Sequence, residues 1–218
     1  YRRDHRPFPT RGFFVALTLA LAPPFLSPPA LFGESVNLFY RETIEVRLYQ
    51  QLFLGLTGRF RALAGVVRGW DANHPVPISE LYYVGGINTV RGYRLYTISP
   101  VAIVGQSPTP DAALRLLAIG GNKQLVLNFE LEYPVAEKMG IRALVFFDMG
   151  NAFAPGRYVD PAVPLSLYKS WGFGFRWFSP IGPRRFEWGF PLNRRRDPVT
   201  GLYIDAPSDF QFTIGSFF

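Results

Sequence analysis

Residues 124 to 133 alternate between two kinds of side chain with a period of two. One set is apolar and the other mostly polar: Leu125, Leu127, Phe129, Leu131 and Tyr133 against Gln124, Val126, Asn128, Glu130 and Glu132. Successive side chains of an extended strand point to opposite faces, whereas those of a helix repeat every 3.6 residues. The segment is therefore predicted to be a β-strand with one apolar face and one charged face.

The same alternation recurs along the chain and predicts seven further strands. They lie at about 12–22, 38–49, 56–69, 141–149, 171–177, 185–190 and 210–218. Twenty prolines and 21 glycines interrupt the sequence, which disfavours long helices. The predicted fold class is all-β, with antiparallel strands joined by turns and loops.

The apolar faces of these strands carry unusually large side chains. In one strand, four aromatic residues oppose two glycines and an arginine: Trp171, Phe173, Phe175 and Trp177 against Gly172, Gly174 and Arg176. With 21 Phe and 11 Tyr, the chain has more rings than one soluble core takes up. A soluble sandwich would bury the apolar face and expose the polar one. A lipid-facing wall around a polar interior has the reverse arrangement, with aromatic residues at both membrane interfaces.

The connections between the predicted strands alternate in length. Those at 50–55, 134–139 and 179–184 are short, whereas those at 23–37, 70–122, 154–167 and 192–208 are long. Short turns on one side and long loops on the other are typical of outer-membrane barrels. Because a sheet crosses a bilayer only when closure pairs its backbone groups, the sequence predicts a transmembrane antiparallel β-barrel.

Two features indicate how much of the barrel this chain holds. A closed barrel of eight strands is filled by its own side chains, which leaves little room for the loop 70–122 to fold inward. The chain also begins at Tyr1 rather than at Met. We therefore expect residues 1–218 to be one barrel domain that is a fragment, with strands upstream. Residues 13–22 follow a basic start and also fit a signal-peptide core, an alternative to a strand that the sequence leaves open.

The sequence Val90-Arg91-Gly92-Tyr93 is the most informative part of the longest loop. Arginine stays charged when buried and matches a carboxylate with a two-bond fork. Three acids on predicted inward faces are candidate partners for Arg91: Glu130, Glu132 and Asp148. The alternative is an exposed loop arginine, with the three carboxylates solvated elsewhere.

Seven blocks of the sequence resemble, in the expected order, the BamA and TamA superfamily of outer-membrane assembly barrels. They are the stretch from Gly85 to Tyr93, Ile98-Ser99-Pro100, Gly120-Gly121-Asn122-Lys123, Leu131-Glu132-Tyr133-Pro134, Phe146-Phe147-Asp148-Met149-Gly150-Asn151, Phe178-Ser179-Pro180-Ile181-Gly182-Pro183 and Phe210-Gln211-Phe212-Thr213-Ile214-Gly215. The resemblance spans essentially the whole chain. It implies the C-terminal half of a sixteen-stranded barrel, with periplasmic POTRA domains upstream.

The resemblance also implies roles for individual residues. In this family the long loop folds into the barrel, and Arg91 takes the position of its arginine. Glu132 and Asp148 fall on the two acidic positions that pair with that arginine, and Glu130 is a neighbour without an assigned role. The last strand resembles the terminal signal of outer-membrane barrels and is expected to pair weakly with the first strand. Its outward residues are Phe210, Phe212, Ile214 and Phe218.

The function that the resemblance implies is the folding and insertion of nascent outer-membrane proteins. The protein would be integral to the bacterial outer membrane. Its partners would be those nascent chains, accessory assembly lipoproteins, and the surrounding lipid and lipopolysaccharide. The close alternative is a polypeptide secretion pore of the same superfamily, and the number of upstream POTRA repeats, five against two, would separate the two.

Other classes of function have little support in the sequence. The chain has no Cys, and neither His5 nor His74 lies in a catalytic pattern, so an outer-membrane barrel enzyme is a remote alternative. The sequence contains no metal or cofactor motif, and none of either is expected. The net charge of +7 comes without the interleaved basic and aromatic residues that bind nucleic acid, so no such partner is expected.

Overall fold

The computed structural model describes residues 2–3, 9–23, 38–70, 75–104, 115–156, 167–179, 182–196 and 201–215. These residues form eleven strands: β1 (Arg2–Arg3), β2 (Gly12–Ala22), β3 (Phe39–Gln51), β4 (Thr57–Gly69), β5 (Val101–Val104), β6 (Arg115–Ala118), β7 (Lys123–Ala136), β8 (Ile141–Phe153), β9 (Tyr168–Ser179), β10 (Gly182–Pro191) and β11 (Asp209–Ile214). Two short 3-10 helices, Ile78–Glu80 and Glu137–Met139, lie between strands. Among these described residues, no helix is long and apolar enough to cross a membrane.

Nine of the strands form one antiparallel sheet, in the order β1, β2, β3, β4, β7, β8, β9, β10, β11. Apart from the two-residue β1, these are the eight predicted strands, and the all-β antiparallel prediction is confirmed. Residues 13–22, for which a signal peptide was the alternative, lie in β2 and pair with β3 along their whole length. β4 pairs directly with β7 across the base of the long loop.

The outward face of the sheet is apolar, as the alternation predicts. Every second residue is exposed from Phe13 to Leu21 on β2 and from Phe129 to Val135 on β7. Aromatic rings on this face stack between neighbouring strands, as in the pair Phe173 and Trp188 on β9 and β10. A continuous wall of Phe, Trp and Leu suits hydrocarbon rather than water, so this face contacts lipid.

The inward face carries buried charges and the long loop. Seven charged residues of the strands are buried on this face: Arg59, Glu130, Glu132, Asp148, Arg176, Arg185 and Glu187. An apolar cluster joins the loop to β4, β7 and β8, and its buried members are Val67, Tyr82, Val84, Val90, Tyr93, Ile98, Val126 and Ala152. The loop therefore packs against the inside of the sheet.

The sheet does not close within the described residues. β11 pairs with β10 and with no other described strand, and the outer edge of β2 meets only the two residues of β1. Within these residues the fold is a partial barrel, and the outer edge of β11, which has no described partner, is called the free edge.

Two details differ from the predicted strands. β5 and β6 form a separate hairpin inside the long loop, and each has only four residues, too few for a period of two to stand out. β7 continues through Pro134 to Ala136, and its register with β8 shifts there. Proline is tolerated in a strand at such an irregularity. The predictions made for Phe218, His5 and His74 lie outside the described residues.

Candidate functional site

Two glycines turn the long loop so that Arg91 points into the inside of the sheet. Gly85 and Gly86 have φ angles of 111° and 95°, a backbone conformation that residues other than glycine rarely adopt. The turn is closed by hydrogen bonds from the Gly86 amide to the Val90 carbonyl, 3.1 Å, and from the Gly85 amide to the Thr89 hydroxyl, 2.8 Å.

The Arg91 guanidinium is held mainly by Asp148 on β8. Its Nε lies 2.6 Å from Oδ2 of Asp148 and its Nη2 lies 2.7 Å from Oδ1, so the two planar groups form a fork. The Arg91 backbone amide donates to the same Oδ2 at 3.1 Å. The guanidinium carbon lies 3.7 Å from the ring centre of Phe146, so the cation also stacks on an aromatic face. Arg91 is 1% exposed and Asp148 is fully buried.

Two further carboxylates share the remaining nitrogen of Arg91. Its Nη1 lies 2.7 Å from Glu130 on β7 and 3.2 Å from Glu187 on β10. A single loop residue therefore contacts three strands of the wall by ionic hydrogen bonds. Asn128 supports this arrangement by donating from Nδ2 to Asp148 at 2.8 Å and to the carbonyl of Thr89 at 2.6 Å.

Arg176 on β9 extends the ionic contacts away from the loop. Its guanidinium bonds both oxygens of Glu130 at 2.8 Å and reaches Glu132 at 2.9 Å and Glu187 at 3.3 Å. Arg185 pairs with Glu187 at 2.9 Å. We call the connected groups the ionic network: Arg59, Arg91, Glu130, Glu132, Arg142, Asp148, Arg176, Arg185 and Glu187. Because a buried unpaired charge is strongly destabilising, each member depends on the others.

The predicted contact between Arg91 and Glu132 is not made and is corrected by the structure. Glu132 instead accepts from Arg59 at 2.7 Å, Arg142 at 3.0 Å and Arg176 at 2.9 Å. The physical reason is position along the strand. Glu132 lies two residues beyond Glu130, about 7 Å further along β7. It therefore lies between Arg59, which is paired in register with Glu130, and Arg142, which is paired with Pro134.

Glu187 is a partner of Arg91 that the sequence prediction missed. The alternation of β10 places it inward, so its face was predictable, but its level relative to the loop was not. The register shows it opposite Gly174 on β9 and Gln211 on β11. A Cβ at position 174 would lie 2.7 Å from Cγ of Glu187, so glycine there leaves room for the Glu187 side chain.

The glycine that follows Arg91 rests directly on the wall. Gly92 has a φ of 84°, and a Cβ built on it would lie 2.7 Å from the carbonyl carbon of Gly189 on β10. A Cβ on Gly189 would in turn collide with the backbone nitrogen and Cα of Gly92. Two facing glycines thus let the loop backbone lie against the strand backbone.

Substitution of Gly189 by alanine is expected to push the loop away from the wall. The added methyl meets backbone rather than a movable side chain, and such overpacking typically costs about 1–3 kcal/mol of stability. Limited proteolysis of the loop should be faster than in the wild type. The matched control is Gly58→Ala, since the nearest atom that a Cβ there would meet is Cδ1 of Leu52, at 3.6 Å. Equal cleavage rates for Gly189→Ala and the wild type would contradict the contact.

Two arginines of the sheet, one on β4 and one on β10, donate hydrogen bonds to the tip of the loop. Arg61 on β4 donates to the carbonyl of Asn88 at 2.7 Å, and Arg185 on β10 donates to the carbonyl of Ile87 at 3.0 Å. These bonds satisfy backbone carbonyls that the turn leaves unpaired. Sequence reasoning missed both arginines as loop contacts, because their acceptors are backbone atoms.

Tyr93, the last residue of the motif, is hydrogen-bonded to β9, to the segment that follows β10 and to β11. The single hydrogen of the Tyr93 hydroxyl is shared between the carbonyls of Lys169 and Asn193, both at 3.1 Å, and the Tyr93 carbonyl accepts from Gln211 at 2.9 Å. Nearby, Arg195 donates to the Thr97 carbonyl and is paired with Asp205. Burial lowers the pKa of Arg195, but the hydrogen bond and charge of Asp205 outweigh it and hold the pKa above its ordinary value.

The chemistry of this site is positional. The carboxylates of Glu130 and Glu132 are tied up by arginines, so neither is placed as a free acid or base. In the part of the chain that the structure describes, no group of three or more His, Cys, Asp or Glu residues is placed to hold a metal ion. What the arrangement does is seat one loop on the inside of a sheet.

A lipid-facing antiparallel sheet, with a charged inner face that holds an inserted loop, defines a segment of an integral outer-membrane β-barrel. The Omp85 superfamily domain matches residues 2–218. The chain therefore belongs to the Omp85 superfamily, and its location is the outer membrane.

Three proteins of known name match between two thirds and all of this chain. The chain is 33% identical over 185 residues to the outer membrane protein assembly factor BamA of Nitratidesulfovibrio vulgaris. This match covers 83% of this chain and 20% of that protein. It is 23% identical over 241 residues to BamA of Neisseria meningitidis, in a match that covers 100% of this chain and 27% of that protein. A SAM50-like protein of Drosophila melanogaster is 34% identical over 150 residues, or 68% of this chain and 30% of the relative.

A solved structure has the same fold. The crystal structure of BamA from Haemophilus ducreyi lacking POTRA domains 1-3 superimposes with a TM-score of 0.74 at 24% sequence identity. The match covers 99% of this chain and 40% of that one. Of the two BamA relatives from Nitratidesulfovibrio vulgaris and Neisseria meningitidis, the chain spans about a fifth to a quarter of the length.

Proposed function

We propose that the protein is an assembly factor that folds and inserts nascent β-barrel proteins into the bacterial outer membrane. The observation that carries the proposal is the edge strand β11, which pairs with β10 over only six residues and has no second partner among the described residues, in a sheet whose outer face contacts lipid. An unpaired strand edge is a template to which another strand adds through backbone hydrogen bonds. In hydrocarbon every backbone group must be paired, so a nascent strand entering at this edge gains partners as it arrives.

The side chains of β11 suit an edge that lies within the membrane. Phe210, Phe212 and Ile214 are about half exposed and all point outward. They keep the strand in contact with lipid while its outer backbone groups are available to a client. The terminal residue Phe218, which we predict to continue this face, lies outside the described residues.

The seated loop has a supporting role in this proposal. Arg91 and the ionic network hold the loop against β8, β7 and β10, next to the edge strand. We propose that this seating keeps the wall beside the edge in one arrangement while client strands are added. Glu132 and Arg176 then act on the loop indirectly, through Glu130 and Glu187.

Further parts of the protein are included in the proposal. Because the described sheet is open, we propose that strands upstream complete the barrel and that POTRA domains precede them. The partners would be nascent outer-membrane proteins, accessory assembly lipoproteins, and the lipid and lipopolysaccharide around the barrel. The relatives named assembly factor BamA support this function for the whole protein.

A polypeptide secretion pore is the second candidate, and the geometry favours it less. A pore needs a clear lumen, whereas here the loop lies inside the sheet and is fastened to β4, β7, β8, β9, β10 and β11. All of these contacts to the loop would have to break before a chain could pass.

A disulfide that closes the free edge tests the proposed function. Thr213→Cys on β11, combined with a cysteine on the strand that closes the barrel, should lock the edge when oxidised. The chain contains no Cys that would compete. We expect the oxidised full-length protein, in liposomes, to lose insertion of a small client barrel and to regain it on reduction.

The control lock joins two strands that are already paired inside the sheet. Phe175→Cys with Phe186→Cys ties β9 to β10 at opposite residues and leaves the edge free. Insertion should be the same in its oxidised and reduced forms. Full activity of the oxidised edge lock would refute the proposal.

A further inference from the structure

Gln211 links the free-edge strand to the seated loop. It lies in the middle of β11 and points inward, opposite Glu187 on β10. Its Nε2 donates to the backbone carbonyl of Tyr93 at 2.9 Å and to Oδ2 of Asp209 at 2.7 Å. Among the described hydrogen bonds, the one to Tyr93 is what connects β11 to the loop.

The orientation of this amide is set by its surroundings. Both acceptors are oxygens, one a carbonyl and one a carboxylate, and the NH2 group has two hydrogens to give them. A flipped amide would place its own oxygen against both. The donor of the contact is therefore the side chain and the acceptor is the loop.

The acceptor belongs to a well-fixed part of the loop. The Tyr93 hydroxyl is bonded to two carbonyls, on β9 and beyond β10, and Tyr93 is fully buried. The preceding residues, Arg91 and Gly92, are held by Asp148 and by the backbone at Gly189. When the loop is seated, the carbonyl that Gln211 uses has one position.

The strand that gains from the contact has few others. β11 pairs with β10 over six residues, and its rings Phe210 and Phe212 pack on Trp188 and Phe186, also of β10. Its remaining edge has no described partner. The hydrogen bond from Gln211 to the loop therefore adds to the contacts with β10 that order β11.

We propose that Gln211 is a positioning residue that couples the seating of the loop to the order of the edge strand. With the loop seated, the bond to Tyr93 holds β11 in line with β10. When the loop leaves its seat, the bond is lost and the edge becomes looser. The inference rests on the proposed function, in which this edge receives incoming strands.

Hydrogen exchange of the full-length protein in lipid nanodiscs tests the coupling. Gln211→Met keeps the size of the side chain and removes the donor. Since a neutral hydrogen bond is worth on the order of 1 kcal/mol, amides of β11 should exchange about fivefold faster. Unchanged exchange in β11 would overturn the proposal.

Two controls separate the tether from a general weakening of the strand. Asp209→Ala removes the other acceptor of Gln211 but leaves the Tyr93 carbonyl in place. Thr213→Val changes the next inward residue of β11. Both should leave exchange in β11 near the wild-type rate, and acceleration equal to that in Gln211→Met would overturn the tether.

A double-mutant cycle shows whether the bond depends on the loop. Gly189→Ala displaces the loop and should by itself speed exchange in β11. Adding Gln211→Met to it should then have little further effect, because the bond is already broken. Additive effects would show that Gln211 acts independently of the loop and would overturn the coupling.

Client insertion is measured separately, so the two proposals can fail separately. Faster exchange in β11 with unchanged insertion would leave the tether standing and count against the role of the edge in assembly. Unchanged exchange would overturn the tether whatever the insertion rate.

Discussion

Arg91→Ala is expected to unseat the long loop and to lower the free energy of unfolding by about 3–5 kcal/mol, the usual loss when one partner of a buried ion pair is removed. The reason is Asp148, which is fully buried and receives three hydrogen bonds from Arg91. Glu130 and Glu187 lose less stabilisation than Asp148, because both remain paired with Arg176. Denaturant unfolding in detergent measures the stability, and complementation of a depletion strain measures the proposed assembly activity, which should be lost.

Arg91→Lys is the matched control. Lysine keeps the charge but lacks the planar fork, so it cannot reproduce the two parallel bonds from separate nitrogens to Asp148. We expect stability and activity between those of the wild type and Arg91→Ala. Full complementation by Arg91→Ala at a normal protein level would contradict the role of the loop seat.

Asp148→Arg is expected to have an equally large effect on the same site. A second guanidinium would then lie against Arg91 and Phe146, where the wild type has a carboxylate. Repulsion between two buried like charges should expel the loop, and protease should cut the loop readily in the folded barrel. Asp148→Asn is the milder comparison, because it keeps the size and one acceptor oxygen, while the charge is lost and the other oxygen is replaced by an NH2 group.

A charge swap should fail to rescue this variant. Exchanging the residues, Arg91→Asp with Asp148→Arg, restores one ion pair but places the new loop carboxylate near Glu130 and Glu187. A simple two-residue salt bridge would be rescued by the same exchange. Recovery of loop protection and activity in the double variant would show that Arg91 and Asp148 act as an isolated pair.

The strands were predictable from the sequence because their side chains obey a simple period. The outer wall must be apolar in every second position, and the inward positions of β7 and β8 hold the acids. The pattern therefore identified the face on which Glu130, Glu132 and Asp148 lie.

The pairing within the site was less predictable, because it depends on the stagger between strands. A period of two gives the face of Glu132 but not its level, and two residues along β7 change its partner from Arg91 to Arg176. The same holds for Glu187 and Gln211, whose partners are distant in sequence. The contact of Gly92 with Gly189 involves backbone alone, for which the side-chain pattern carries no signal.

The ionic network also protects the sheet against misfolding by strand slippage. A strand that slips by one residue turns every inward side chain outward. On β9 such a slip would move Arg176 from four buried hydrogen bonds to the lipid-facing side. An arginine there costs up to about 2–4 kcal/mol, less near an interface, in addition to the broken pairs. Neighbouring strands would lose their counter-charges at the same time. The contacts that hold the loop in place thus also reject incorrect alignments while the barrel itself is being made.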